Sequence, residues 1–134
     1  MEYINFEPIY ETESTFIEIK SNNIIYDLHN GGEFLNFNYN TRTNIIKLSW
    51  LYYIKGRVSD KNIEFSFLDV LDYSITNKDI EIPIDETNCL FNIKIIDKQS
   101  RVTLEFGNDK IFQIICSKIR FNLADNKLKY ILKP

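Results

Sequence analysis

Alanine occurs once in 134 residues, at Ala124. Alanine is the strongest helix former, whereas Ile, Phe, Tyr, Val and Thr favour strands. The chain carries 22 Ile, ten Phe and eight Tyr. That balance argues against a helical bundle and for sheet. Glycine is scarce too. Four residues cannot assemble a phosphate loop or a dinucleotide fingerprint. Histidine occurs once, as His29, and cysteine twice, as Cys89 and Cys116. A zinc site needs several such ligands at short spacing, and these three are far apart. No metal or cofactor is expected, and no catalytic residue is assigned. A Cys-His nucleophile pair would have to be built by the fold alone. His29 precedes Gly31-Gly32, and its ring is expected to rest on the backbone rather than serve as a general base.

Long apolar runs are also missing. None approaches the roughly 18 residues of a membrane span. The start, Met1-Glu2-Tyr3-Ile4-Asn5-Phe6-Glu7-Pro8, lacks the basic-then-apolar order of a signal peptide. The expectation is a single cytoplasmic β domain over residues 1–134, with no membrane partner. In a reducing compartment Cys89 and Cys116 should be buried thiols rather than a disulfide. Hydrophobic residues at 44% and charged residues at 26% are ordinary for a folded domain, which argues against disorder.

Charge is uneven. Residues 1–40 hold seven acids against Lys20 and sum to −6, residues 94–134 sum to +5, and the whole chain is −3. An acidic total speaks against a nucleic-acid partner, which calls for a basic footprint. The acidic third is either a solvated face or a surface for a basic partner. Glu11, Glu13, Glu18 and Asp27 are the candidate partner-binding residues.

Strict alternation marks half-buried strands. It places Leu35, Phe37 and Tyr39 opposite Asn36, Asn38 and Asn40. It places Ile46, Leu48, Trp50 and Tyr52 opposite Lys47, Ser49, Leu51 and Tyr53. The same rule groups Ile63, Phe65 and Phe67, then Phe91, Ile93 and Ile95. Further groups are Val102, Leu104 and Phe106, then Ile119, Phe121 and Leu123. Strands are also read over Ser14 to Lys20 and Asn23 to Leu28. Ile111 to Cys116 is apolar at most positions and reads as a central strand buried on both faces. Turn residues separate the runs at Asn30-Gly31-Gly32, Asn40 to Thr43, Lys55-Gly56, Asp97 to Ser100 and Gly107 to Asp109. Ile80 to Asn88, with Pro83, reads as a loop or edge. Ala124 to Leu132 fits a short helix or, through Asp125-Asn126, a hairpin. The predicted fold is all-β: an antiparallel sandwich or partly open barrel of about eight to ten short strands.

Other chemistry is sparse. Asp69 and Asp72 flank Val70-Leu71, and Asp85-Glu86 follow Pro83. A carboxylate pair suits glycoside hydrolysis or calcium, but this spacing is that of ordinary loop acids. Trp50 and Tyr52 alternate in phase with Ile46 and Leu48, so they belong to the core rather than to an exposed stacking strip.

Three stretches together resemble small β-rich bacterial polymorphic-toxin immunity proteins. They are Asp27-Leu28-His29-Asn30-Gly31-Gly32-Glu33-Phe34-Leu35-Asn36-Phe37, then Ile63 to Leu71, then Val102 to Gly107 continuing to Ile119-Arg120-Phe121. Asn30 stands where an Asp is expected. The resemblance implies a cytoplasmic inhibitor that binds a cognate toxin domain stoichiometrically, and it implies no catalytic residues. The competing class is a carbohydrate- or lipid-binding β-sandwich module. An enzyme whose site forms only in three dimensions is the third.

Overall fold

The structure is a computed structural model, and it describes residues 1–76, 89–107 and 110–125. Thirteen strands appear among these residues. They are β1 (Glu2–Ile4), β2 (Glu7–Tyr10), β3 (Thr15–Ser21), β4 (Ile24–Asp27), β5 (Gly32–Asn40), β6 (Ile45–Ile54) and β7 (Arg57–Val58). After them come β8 (Lys61–Leu68), β9 (Asp72–Thr76), β10 (Leu90–Ile96), β11 (Arg101–Phe106), β12 (Ile111–Ile115) and β13 (Lys118–Asp125). A 3-10 turn, Asp97–Gln99, joins β10 to β11.

The strands form two sheets. The first runs β1-β13-β8-β6-β5, with β7 on β6; the second runs β2-β3-β10-β11-β12-β9, with β4 on β3. Every ladder is antiparallel except β1 on β13, which is parallel. The sheets do not close into a barrel, so the sandwich is the correct half of the predicted pair. The count exceeds the expected eight to ten because β1, β2, β7 and β9 are short and have no buried position, and such strands carry little alternation.

The core lies between the sheets. Trp50, Phe16, Phe65, Phe67 and Phe112 are fully buried there. Trp50 meets Phe65 edge-on at 5.6 Å and Phe34 at 5.3 Å, the geometry that aromatic quadrupoles favour. Tyr52 is only partly buried and packs on Tyr26 at 5.2 Å.

Left-handed residues make the tight turns. Asn22 (φ 51) and Asn23 (φ 62) link Ser21 to Ile24, and Lys55 (φ 50) and Gly56 (φ 77) link Ile54 to Arg57. Two successive positive φ values suit the right-handed twist of the flanking strands.

Several expectations are corrected by the ladders. The register shifts between Phe34 and Asn36, so Phe34 turns inward and Leu35, 36% exposed, turns out. It shifts again between Leu90 and Asn92, so Leu90 is buried and Phe91 is 52% exposed. A bulge adds one residue to one strand and reverses the facing of what precedes it. Strand β12 lies inside the sheet, between β11 and β9, but it is not buried on both faces: its burial alternates. Ala124 and Asp125 continue β13, not a helix. The remainder of that segment, and Ile80 to Asn88 with Asp85-Glu86, lie outside the described residues. Cys89 and Cys116 are not joined; Cys116 is buried, but Cys89 is only half-buried. Among the described residues no helix is long and apolar enough to cross a membrane.

Candidate binding groove

Strands β3 and β4 are consecutive in sequence and pair through the Asn22-Asn23 turn. Their register sets Glu18 opposite Asp27, with Ile9 of β2 on the other side of Glu18. Directly opposed residues have Cβ atoms about 4.5–5.5 Å apart. The pairing thus holds two carboxylates side by side on the outer face of the second sheet.

Beyond Asp27 the chain turns sharply. Asp27 Oδ1 accepts hydrogen bonds from the backbone N–H groups of His29 (2.9 Å) and Asn30 (3.0 Å), and Oδ2 accepts one from Asn30 Nδ2 (3.0 Å). Gly31 N–H closes the turn on the Asp27 carbonyl at 3.0 Å. A Cβ at Gly31 would lie 2.8 Å from that carbonyl and 2.7 Å from Tyr52 Cε2, so glycine is required by the close approach. Burial acts to raise the Asp27 carboxyl. The hydrogen bonds from Asn30 and His29 outweigh it and hold the carboxyl below its ordinary value.

The turn delivers His29 to β10. His29 Nδ1 lies 2.8 Å from the Leu90 carbonyl oxygen. A carbonyl only accepts, so Nδ1 carries the hydrogen and the neutral ring keeps its lone pair on Nε2. Cys89 Sγ sits 3.2 Å from the same Nδ1 and 3.8 Å from the His29 carbonyl. The fold does bring the one histidine to a cysteine. The nitrogen facing the sulfur is a donor committed to backbone, however, not a free base for the thiol. The ring rests on the backbone as its place before the glycine turn suggested.

Phe91 completes the wall, its ring 5.2 Å from His29. Glu11 enters from the turn after β2, where its N–H bonds the Thr15 carbonyl at 2.9 Å. Glu11, Glu18, Asp27, His29, Asn30 and Phe91 surround an open groove of about 290 Å³. Three of the four acids singled out by charge therefore converge. Glu13 does not; it lies exposed in the turn before β3 and outside the groove. Among the described residues the ion pairs are Met1 with Asp97, Lys47 with Glu64, Lys61 with Asp125 and Lys118 with Glu2, so no base neutralises Glu11, Glu18 or Asp27.

Two groove residues escaped the sequence reading. Phe91 stands in unbroken phase with Ile93 and Ile95, and only the bulge turns it outward. The one hint is the apolar run Cys89-Leu90-Phe91, which no single-faced strand accommodates. His29 joins the groove through a contact spanning 61 residues, which local pattern does not carry. Comparison with protein-family models, with curated proteins and with solved structures finds no match to this chain.

Proposed function

We propose that this chain is a non-enzymatic, cytoplasmic binding protein of the immunity type, which neutralises a cognate toxin domain by stoichiometric contact. The groove of Glu11, Glu18 and Asp27 receives a basic segment of that partner. The observation that carries the reading is the convergence of three carboxylates, none of them in an ion pair among the described residues, beside a half-exposed phenylalanine. Like charges opposed across a ladder weaken a sheet, and a cationic partner turns that local cost into attraction. Phe91 offers the apolar stem of an arginine or lysine a surface to lie on, beneath its charged head. A toxin domain that acts on nucleic acid is basic because it must hold phosphates, so an acidic inhibitor surface speeds encounter with it. The engagement of His29 Nδ1 by Leu90 supports binding rather than nucleophilic catalysis.

The test is association with the product of an adjacent toxin gene, measured at low and moderate salt. Glu11→Gln with Glu18→Gln removes two groove charges and leaves the Asp27 turn intact. Association should slow several-fold at low salt and lose much of its salt dependence. Glu13→Gln, outside the groove, serves as the control. Unchanged association of the double variant removes the groove from the interface. If the adjacent gene product does not bind at all, the immunity reading falls.

A further inference from the structure

A second and larger cavity lies away from the acidic groove. It opens where the chain crosses from the first sheet to the second at Asn5-Phe6, beside the β3–β4 hairpin and the far half of β13. Its volume is about 810 Å³, within the roughly 300–1,000 Å³ usual for small-molecule sites. The opening has a structural cause. Strand β1 pairs with β13 from Glu2 opposite Lys118 as far as Ile4 opposite Arg120, so the β1 side of β13 has no ladder partner from Phe121 onward among the described residues. Leu123 alternates in phase with the buried Ile119 and Phe121, yet it is 39% exposed.

The lining combines amides and a phenol with an apolar rim. Tyr26 lies at the base, only 6% exposed, its ring 5.2 Å from that of Phe121. Its hydroxyl makes no hydrogen bond within the described residues and keeps contact with solvent. Burial raises this hydroxyl above the ordinary tyrosine value, so it stays protonated, both donor and acceptor. Asn5, Asn22, Asn23 and Asn122 contribute to the walls, and none of their side-chain amides is hydrogen-bonded within the described residues. Backbone conformation accounts for Asn at 5, 22 and 23, whose φ values are 68, 51 and 62. It does not account for Asn122, which lies within a strand, where asparagine is depleted. Ile24, 53% exposed, and Leu123 supply apolar rim. Glu7 and Lys20 face each other in register, one charge of each sign.

We infer that this cavity binds a neutral polyhydroxylated ligand, a mono- or disaccharide, through the Tyr26 hydroxyl and the surrounding amides. A sugar hydroxyl donates and accepts at once, as do the phenol and the amide pair that face it. A sugar's C–H face matches Ile24 and Leu123. Balanced charge at Glu7 and Lys20 gives no preference for a phosphate or a polyamine. The inference stands apart from the immunity reading, since it uses different residues.

The experiment is nuclear magnetic resonance titration of the whole chain with glucose, galactose, N-acetylglucosamine and their β1,4-linked disaccharides. Inorganic phosphate and spermidine are the ionic controls. At least one sugar should shift the side-chain NH2 signals of Asn22, Asn23 or Asn122, with both controls inactive there. Tyr26→Phe keeps the ring and the packing, and it should weaken that sugar about three- to tenfold. Asn23→Gly preserves the left-handed turn and should weaken it as well. The inference is overturned if no sugar moves those signals, if only phosphate or spermidine does, or if Tyr26→Phe binds unchanged.

Discussion

Glu18 and Asp27 stand directly opposite each other across the β3–β4 ladder. Asp27 has its turn to stabilise it, through His29 and Asn30. Glu18 has no comparable hydrogen bond or ion pair among the described residues. Glu18→Gln should therefore raise stability by about 0.2–1 kcal/mol, the range for cross-strand pairs. Urea unfolding at neutral pH measures it. A loss of stability would mean that Glu18 is held by a contact stronger than the repulsion.

Asp27 predicts a pH dependence of definite sign. Its folded-state value lies below the ordinary 3.8, so the folded protein binds this proton less readily than the unfolded chain. The stabilisation is complete above the unfolded value and is lost as pH falls through the folded one. Unfolding free energy should thus drop below about pH 4, and Asp27→Asn should flatten that part of the profile. At neutral pH the substitution should cost about 1–2 kcal/mol, because an amide accepts less strongly than a carboxylate. An unchanged acid limb in Asp27→Asn assigns the acid sensitivity to other groups.

The β10 bulge makes two adjacent residues unequal. Leu90→Ala should destabilise by about 2–5 kcal/mol, the cost of a cavity in a packed core. Phe91→Ala should change stability by less than about 1 kcal/mol, since Phe91 is 52% exposed. Trp50, the one tryptophan, is fully buried and reports unfolding by fluorescence for both variants. The reverse ranking would place Phe91 in the core and remove the bulge.

The two thiols should differ in the native state. Burial pushes the Cys116 thiol up to about 12, against a smaller opposing effect of the Lys118 backbone N–H, so little thiolate forms at neutral pH. Cys89 is half-buried beside the His29 Nδ1–H. Iodoacetamide at about pH 8 should label Cys89 in the folded protein and Cys116 only after denaturation, as mass spectrometry of the digest will read. Equal labelling of both in the folded state contradicts the burial of Cys116.

Alternation located the long strands because their burial has one sign per face. In β11, Arg101–Phe106, the alternating Val102, Leu104 and Phe106 are all buried. In β6 the alternating Ile46, Leu48 and Trp50 are likewise buried. The same rule failed where burial has no period. β9 is exposed at every position, β2 nearly so, and β1 has no fully buried residue, and a strand without a buried face leaves no pattern. It failed again at the bulges, because Leu35 and Phe91 keep perfect phase in sequence while the ladder slips beneath them. β12 looked doubly buried because Ile111 and Ile115 are apolar on a half-covered face. In the groove, charge density pointed to Glu11, Glu18 and Asp27 through no structural rule. Glu13 carried the same signal and lies elsewhere, since net charge over a stretch does not distinguish a strand from a turn.

The parallel pairing of β1 with β13 sets Tyr3 beside Ile119. On the ribosome the first of these residues is made well over a hundred positions before the second can reach it. Until β13 emerges, the edge of β8 that it covers has no occupant, and β1 has no ladder to join. Closing so distant a contact late is entropically slow, and all-β chains with such separations fold in milliseconds to seconds rather than microseconds. Through that interval Phe65 and Phe67 lack the Phe121 and Ile119 that oppose them in the finished sheet. The nascent chain thus waits with the β8 edge open, and its yield in the cell depends on how quickly β13 arrives.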